Sequence, residues 1–155
     1  MSFRLTGLDP APFRRFYGLS NEELRRFGVQ RHVADLKPGF PDRVELRDAE
    51  PGATLLLLNY VHQPADTPYR ASHAIFVREG AETPYEGLDE TPEALRIRPI
   101  SLRAFDASGE MVGADLTGGG GLKDAIERLF DNRAAAYIHA HYAKRGCYAA
   151  RIDRA

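Results

Sequence analysis

Cysteine is almost absent: Cys147 stands alone among 155 residues. No internal disulfide can form, which fits a reducing compartment. Lysine is scarce, with only Lys37, Lys123 and Lys144. The other basic residues are arginines, a bias that GC-rich codon usage explains before carboxylate or phosphate recognition is needed. Excess charge is missing too. Lys and Arg total 21 against 22 for Asp and Glu, a formal charge of −1, so no global field holds nucleic acid or an anionic membrane. The longest apolar run, "TLLLLNYV", is far too short to span a bilayer. The opening "MSFRLTGLDPAPFRRF" has no apolar segment of the secretory kind. Zinc-finger spacings, nucleophile elbows and nucleotide fingerprints are also lacking. The expectation is a soluble, cytoplasmic protein that engages neither nucleic acid nor membrane.

What is present is ordinary globular material, 43% hydrophobic and 28% charged. One domain over residues 1–155 is expected, and at this length it buries roughly 68–70% of its unfolded surface without help from metal or disulfide. "FRLTGL" reads as a first strand. "LDPAPFRRFYG" reads as a short helix capped by Asp9, with Pro10 at its first position and Phe13, Phe16 and Tyr17 on one face. A second short helix follows, with Ser20 and Glu23 as a capping box, Leu19 and Leu24 as a staple and Gly28 as its end.

Strand patterns then take over. "VQRHVAD" and the alternating "RVELR" are candidates, the latter with Val44 and Leu46 on one face. "TLLLLNYV" is apolar on both faces and reads as a covered central strand. "HAIFVRE" follows, then an acidic connection with room for one helical turn, then two strands around "DASG". Pro99 belongs at an edge or bulge. "LKDAIERLFDN" is the clearest helix, with Leu122, Ala125, Ile126, Leu129 and Phe130 at helical spacing. The predicted fold is therefore α+β: a mostly antiparallel sheet, two short N-terminal helices, and one longer helix before a C-terminal β-hairpin.

Three segments, "LKPGFPDRVELRDAEPGATLLLLNYVHQ", "TPYRASHAIFVR" and "HAHYAKRGCYAARIDR", together resemble the bacterial family called domain of unknown function 1203. The likeness runs over nearly the whole chain. It implies a small bacterial single-domain protein and no particular activity, cofactor or catalytic residue. It also implies a cysteine after the "GFP" segment in many relatives. This chain has Asp42 there, so no thiol role carries over to that position.

Chemistry has three places to sit. In "AAYIHAHYAKRGCYAARI", a strand puts Tyr137, His139 and His141 on one face, and two imidazoles at i and i+2 can share a metal. Alanine-rich 134–143 is also a tolerable helix, on which the two rings point apart. A three-residue "KRG" loop with Gly146 left-handed pairs Ala143 with Cys147 and brings Cys147 to the histidine face; pairing with Tyr142 sends it to the other. Gly146 favours the first register. His62 or His73 can complete the set. The second place is the loop between two strands, where His62, Asp66, Tyr69, Arg70 and His73 can bind a small anionic metabolite: Arg70 as clamp, Tyr69 stacking, the histidines as acid or base. The third, "TGGGG" before the long helix, reads as a flexible entry more than as a phosphate cradle. Arg96, Arg98 and Arg103 read as a solvated strand face. Three functions follow. One is recognition of a small anionic metabolite, with or without turnover. A second is a metal-dependent enzyme using His139 and His141. The third is a module that self-associates through an exposed strand "RIRPIS". Neither a cofactor nor the reaction is specified by the residues.

Overall fold

The computed structural model describes residues 1–155. Its strands are β1 (Phe3–Thr6), β2 (Gln30–Val33), β3 (Thr54–Gln63), β4 (Ala71–Arg78), β5 (Glu86–Leu88), β6 (Ile100–Phe105), β7 (Met111–Thr117), β8 (Tyr137–Tyr142) and β9 (Cys147–Arg154). The helices are α1 (Asn21–Arg26), α2 (Glu93–Arg96) and α3 (Leu122–Asp131). Six strands form a sheet in the order β5-β1-β9-β8-β6-β7, and three form a second, β2-β3-β4. Every pairing is antiparallel. The class is the expected α+β, but with two sheets rather than one. No helix is long and apolar enough to cross a membrane.

The six-stranded sheet is covered on both faces, which creates two cores. On one face α2 and α3 place Leu95, Leu122, Ile126 and Phe130 against Ile100, Leu102, Ile138 and Ile152. On the other, Leu56, Leu58, Ile75 and Val77 of the small sheet join Phe13, Phe16 and Leu24 around Tyr148. Strand alternation divides β8 between them: Ile138, Ala140 and Tyr142 serve the first core, leaving His139 and His141 for the face under the small sheet. "TLLLLNYV" is central as expected, flanked by β2 and β4. Residues 134–143 hold strand β8, not a helix.

Local chemistry explains where elements begin. Ser20 Oγ accepts from Glu23 N–H, and the Glu23 carboxylate accepts from Ser20 N–H, the reciprocal box that opens α1. The first expected helix is instead a single 3₁₀ turn, Arg14–Phe16. Phe13 and Phe16, three apart, already bury within one turn, and Gly18 at φ 76° turns the chain away.

"RVELR" is not a strand. Leu46 sits at φ 52°, which no strand permits. The Asp42 carboxylate draws the segment into a turn by accepting from Glu45 N–H at 2.6 Å and Arg78 N–H at 2.8 Å. Val44 and Leu46 are both buried, but in different cores, so their two-residue spacing mimicked one apolar face. "RIRPIS" is not an exposed strand either. It holds the end of α2 and the start of β6, whose two edges are taken by β7 and β8. Pro99 precedes β6 and only accepts, from Ala143 N–H at 3.0 Å.

Gly7 follows β1 where the chain passes against the "RVELR" turn, and Leu8 N–H donates to the Arg43 carbonyl at 2.8 Å. A Cβ on Gly7 would overlap the Val44 carbonyl oxygen. Gly7→Ala should therefore destabilise by about 1–3 kcal/mol, the usual cost of overpacking. The check is a urea melt; an unchanged midpoint would show that the turn yields freely.

Candidate metal centre

Three imidazoles meet between the sheets. β3 ends by delivering His62, and β8 delivers His139 and His141. All three are buried, at 8%, 3% and 0% exposure, and their ligating atoms all lie within 4.8 Å of one another. The ring centroids of His62 and His141 are 4.9 Å apart, and those of His62 and His139 are 6.1 Å apart. Tyr148 holds the group in place, stacked on His62 and edge-on to His139 and His141.

The hydrogen bonding is more informative than the proximity. His141 Nδ1 donates to the Gly146 carbonyl at 2.9 Å, leaving Nε2 as a buried acceptor with no donor. His62 Nδ1 and His139 Nδ1 are likewise buried without partners. An unsatisfied buried polar atom costs about 1–3 kcal/mol, and three within one cluster of rings need an explanation. A metal ion would supply it, and the backbone bond on His141 is of the kind that fixes the tautomer of a ligating imidazole.

The surroundings keep the rings neutral. Burial, reinforced by the neighbouring histidines and arginines, lowers His139 and His141 to about 3 and His62 to about 4. Arg103 on β6 and Arg151 on β9 sit opposite His139 on its two sides. Arg151 is bound by Asp153 at 2.8 Å; Arg103 has no hydrogen-bond partner, and burial lowers its basicity. Neutral imidazole is the ligating form.

This gives a pH prediction for chelator-treated protein. The folded-state values lie below the unfolded value, so the unfolded chain binds more protons as pH falls. The stability is complete above about pH 6.5 and declines toward pH 4 and 3. Between pH 7 and pH 5 each histidine should remove about 1–2 kcal/mol. Urea melts at the two pH values read it; a pH-independent midpoint would contradict the burial of neutral rings.

Access comes from a cavity of about 280 Å³ lined by His62, His139, Gln63, Ser108, Tyr137 and Arg151. Gln63 Nε2 donates to the Tyr137 hydroxyl at 2.9 Å, closing one side of it. Two of the three histidines thus border open space, and His141 is fully buried.

Cys147 does not join the set. β8 and β9 pair Tyr142 with Cys147 across residues 143–146, and His141 with Tyr148. The loop is one residue longer than expected, although Gly146 is left-handed at φ 77°. Cys147 therefore shares the Tyr142 face, and a bulge at Ala149 restores Arg151 to the histidine side. His62 completes the cluster instead.

The five residues of the expected loop pocket are not brought together. His62 enters the centre, and His73 borders a different cavity. Asp66, Tyr69 and Arg70 are exposed; the Arg70 guanidinium is turned onto the Pro64 carbonyl within its own loop. The glycine run is a 3₁₀ turn into α3; a Cβ on Gly119 would overlap the Arg96 carbonyl, so tight backbone packing explains that position, while Gly118 and Gly120 have open space around them. The basic "strand" is also dispersed: Arg96 bonds the Thr91 carbonyl, Arg98 grips Asp48 through two bonds, and Arg103 faces His139.

Fold and centre together define a mixed α+β protein of two antiparallel sheets with an all-nitrogen cluster between them. Residues 39–154 match the family described as "Protein of unknown function (DUF1203)", and the chain belongs to that family. No curated protein and no solved structure matches it.

Proposed function

We propose that this protein is a mononuclear metal-dependent enzyme acting on a small polar molecule, with His62, His139 and His141 as ligands. The observation that carries the reading is three buried histidines whose ligating atoms lie within 4.8 Å of one another, each with a ring nitrogen that lacks a hydrogen-bond partner. Three protein ligands beside a cavity fit a catalytic site, because structural zinc sites close with four. Neutral ligands leave the ion's full charge uncompensated, which favours an acidified water or a polarised substrate oxygen at the open position. Zinc and iron(II) suit an imidazole set. The residues around it have separate duties: His141 is oriented by Gly146, Tyr148 shields the rings, and Gln63, Ser108 and Tyr137 offer hydrogen bonds to what enters.

The test is metal content by mass spectrometry of untagged protein beside His139→Ala. The expected result is near one ion per chain in the parent and almost none in the variant. A parent protein free of metal, and unable to take up zinc or iron(II) afterwards, would end this reading.

A further inference from the structure

At the turn of the β8–β9 hairpin lies a second cavity, of about 290 Å³. It shares no residue with the histidine centre or the cavity above it. Its walls are apolar where Leu57, Ile75 and Phe76 of the small sheet meet Pro41 and Pro99. Four of its polar side chains are fixed cations, Arg43, Arg98, Lys144 and Arg145, beside His73, Tyr142 and Cys147. No acidic side chain lines it. The Asp48 carboxylate answers one of the four, Arg98, at 2.6 Å. Lys144 and Arg145 are exposed on the hairpin loop and make no ion pair.

Arg43 is the unusual member. It is 2% exposed, yet its partners are the Tyr148 carbonyl at 2.6 Å, the Pro41 carbonyl and the Cys147 sulfur at 3.1 Å. No carboxylate neutralises it, although buried charges are normally paired. Five N–H groups less three bonds leave it two donors unspent. Beside it Tyr142, 5% exposed, holds a hydroxyl with no partner. The Tyr142 ring lies under both guanidinium groups, 4.9 Å from Arg43 and 5.1 Å from Arg98. A buried cation without a counter-ion, a buried hydroxyl without an acceptor and an apolar chamber occur in one place.

We infer that this cavity binds an organic monocarboxylate. Its carboxylate accepts from Arg43 and the Tyr142 hydroxyl, with Lys144 and Arg145 drawing it in from the rim. Its apolar body lies along Leu57, Ile75 and Phe76. An inorganic anion would satisfy the charge and leave the apolar walls wet. A neutral apolar molecule would fill the walls and leave the cation and hydroxyl bare.

Straight-chain alkanoates from acetate to decanoate are the probes, with the matching primary alcohols and inorganic phosphate as controls. Binding is followed by ligand-observed NMR. Cys147, the single thiol, borders the cavity, so its alkylation by uncharged iodoacetamide gives a second readout. The alkanoates should bind with an optimum at intermediate length and slow alkylation at least fivefold; alcohols and phosphate should bind at least tenfold more weakly. The double variant Lys144→Ala, Arg145→Ala, both exposed, should fold normally and weaken the best alkanoate about tenfold. Alcohols binding as well as acids, affinity indifferent to the double variant, or no alkanoate binding at millimolar concentration would each overturn the proposal. The series is run with and without chelator, so failure of the metal centre leaves this result unaffected.

Discussion

Zinc added to chelator-treated protein should raise its melting temperature by roughly 8–16 °C. At a thousandfold excess over the dissociation constant, a ligand that binds only the folded state contributes about 4 kcal/mol, and a chain of this size shifts by roughly 2–4 °C per kcal/mol. His62→Ala, His139→Ala and His141→Ala should each abolish the rise. His32→Ala and His73→Ala should keep it, since neither ring belongs to the cluster. Without zinc the ligand variants separate two roles that look alike in a contact map. A structural histidine is satisfied, so its loss destabilises. These rings hold unpartnered nitrogens, each costing about 1–3 kcal/mol, so His62→Leu should be at least as stable as the parent when both are metal-free. A parent without a zinc shift, or a His62→Leu chain that unfolds far more easily than metal-free parent, would argue for a purely structural cluster.

Arg43→Met should lower stability by about 2–4 kcal/mol. Arg43 joins parts of the chain far apart in sequence: its Nε bonds the β9 carbonyl of Tyr148, and its other nitrogens reach Pro41 and Cys147. Methionine keeps most of the volume and removes an unpaired charge, both favourable. It leaves two carbonyl acceptors without those donors, at about 1–3 kcal/mol each, and removes the cation over Tyr142. The balance is a loss. Arg43→Lys should not rescue it, because a single ammonium cannot reproduce the planar fork. Urea unfolding with an unchanged slope reads the difference; a midpoint within experimental error of the parent would mean that solvent already satisfies those carbonyls.

Much of the fold was legible where local and tertiary demands agree. The capping box at Ser20 and Glu23, the apolar run of β3 and the helical spacing of α3 each have one local solution, and the structure adopts it. Alternation misled at "RVELR", because two buried residues two apart need not share a core. It also misled at Cys147. A three-residue loop pairs Ala143 with Cys147 and places the thiol with the histidines, but the loop holds four residues and Tyr142 takes that place, a length that Gly146 alone does not fix. The His-x-His pair was visible as a pattern, and His62 as a possible partner for it. That His62 rather than His73 arrives depends on how the two sheets lie on one another, which no strand encodes by itself. The cationic cavity had no signal at all, since its walls come from five separated segments.

The three histidines belong to sheets that share no ladder of backbone hydrogen bonds. An ion held by His62 and His139 would therefore act as a removable cross-link, closing the middle of the chain, β4 through α3, into one loop. Closing so long a loop restricts the open chain most strongly where its ends are otherwise free to part. On the proposed reading the ion would do two jobs at once, activating what enters the cavity and riveting the small sheet to the large one. Chelation would loosen that joint first: amide protons of β3 and β4 would exchange ahead of those in β6 and β8, and the cavity mouth would widen with them.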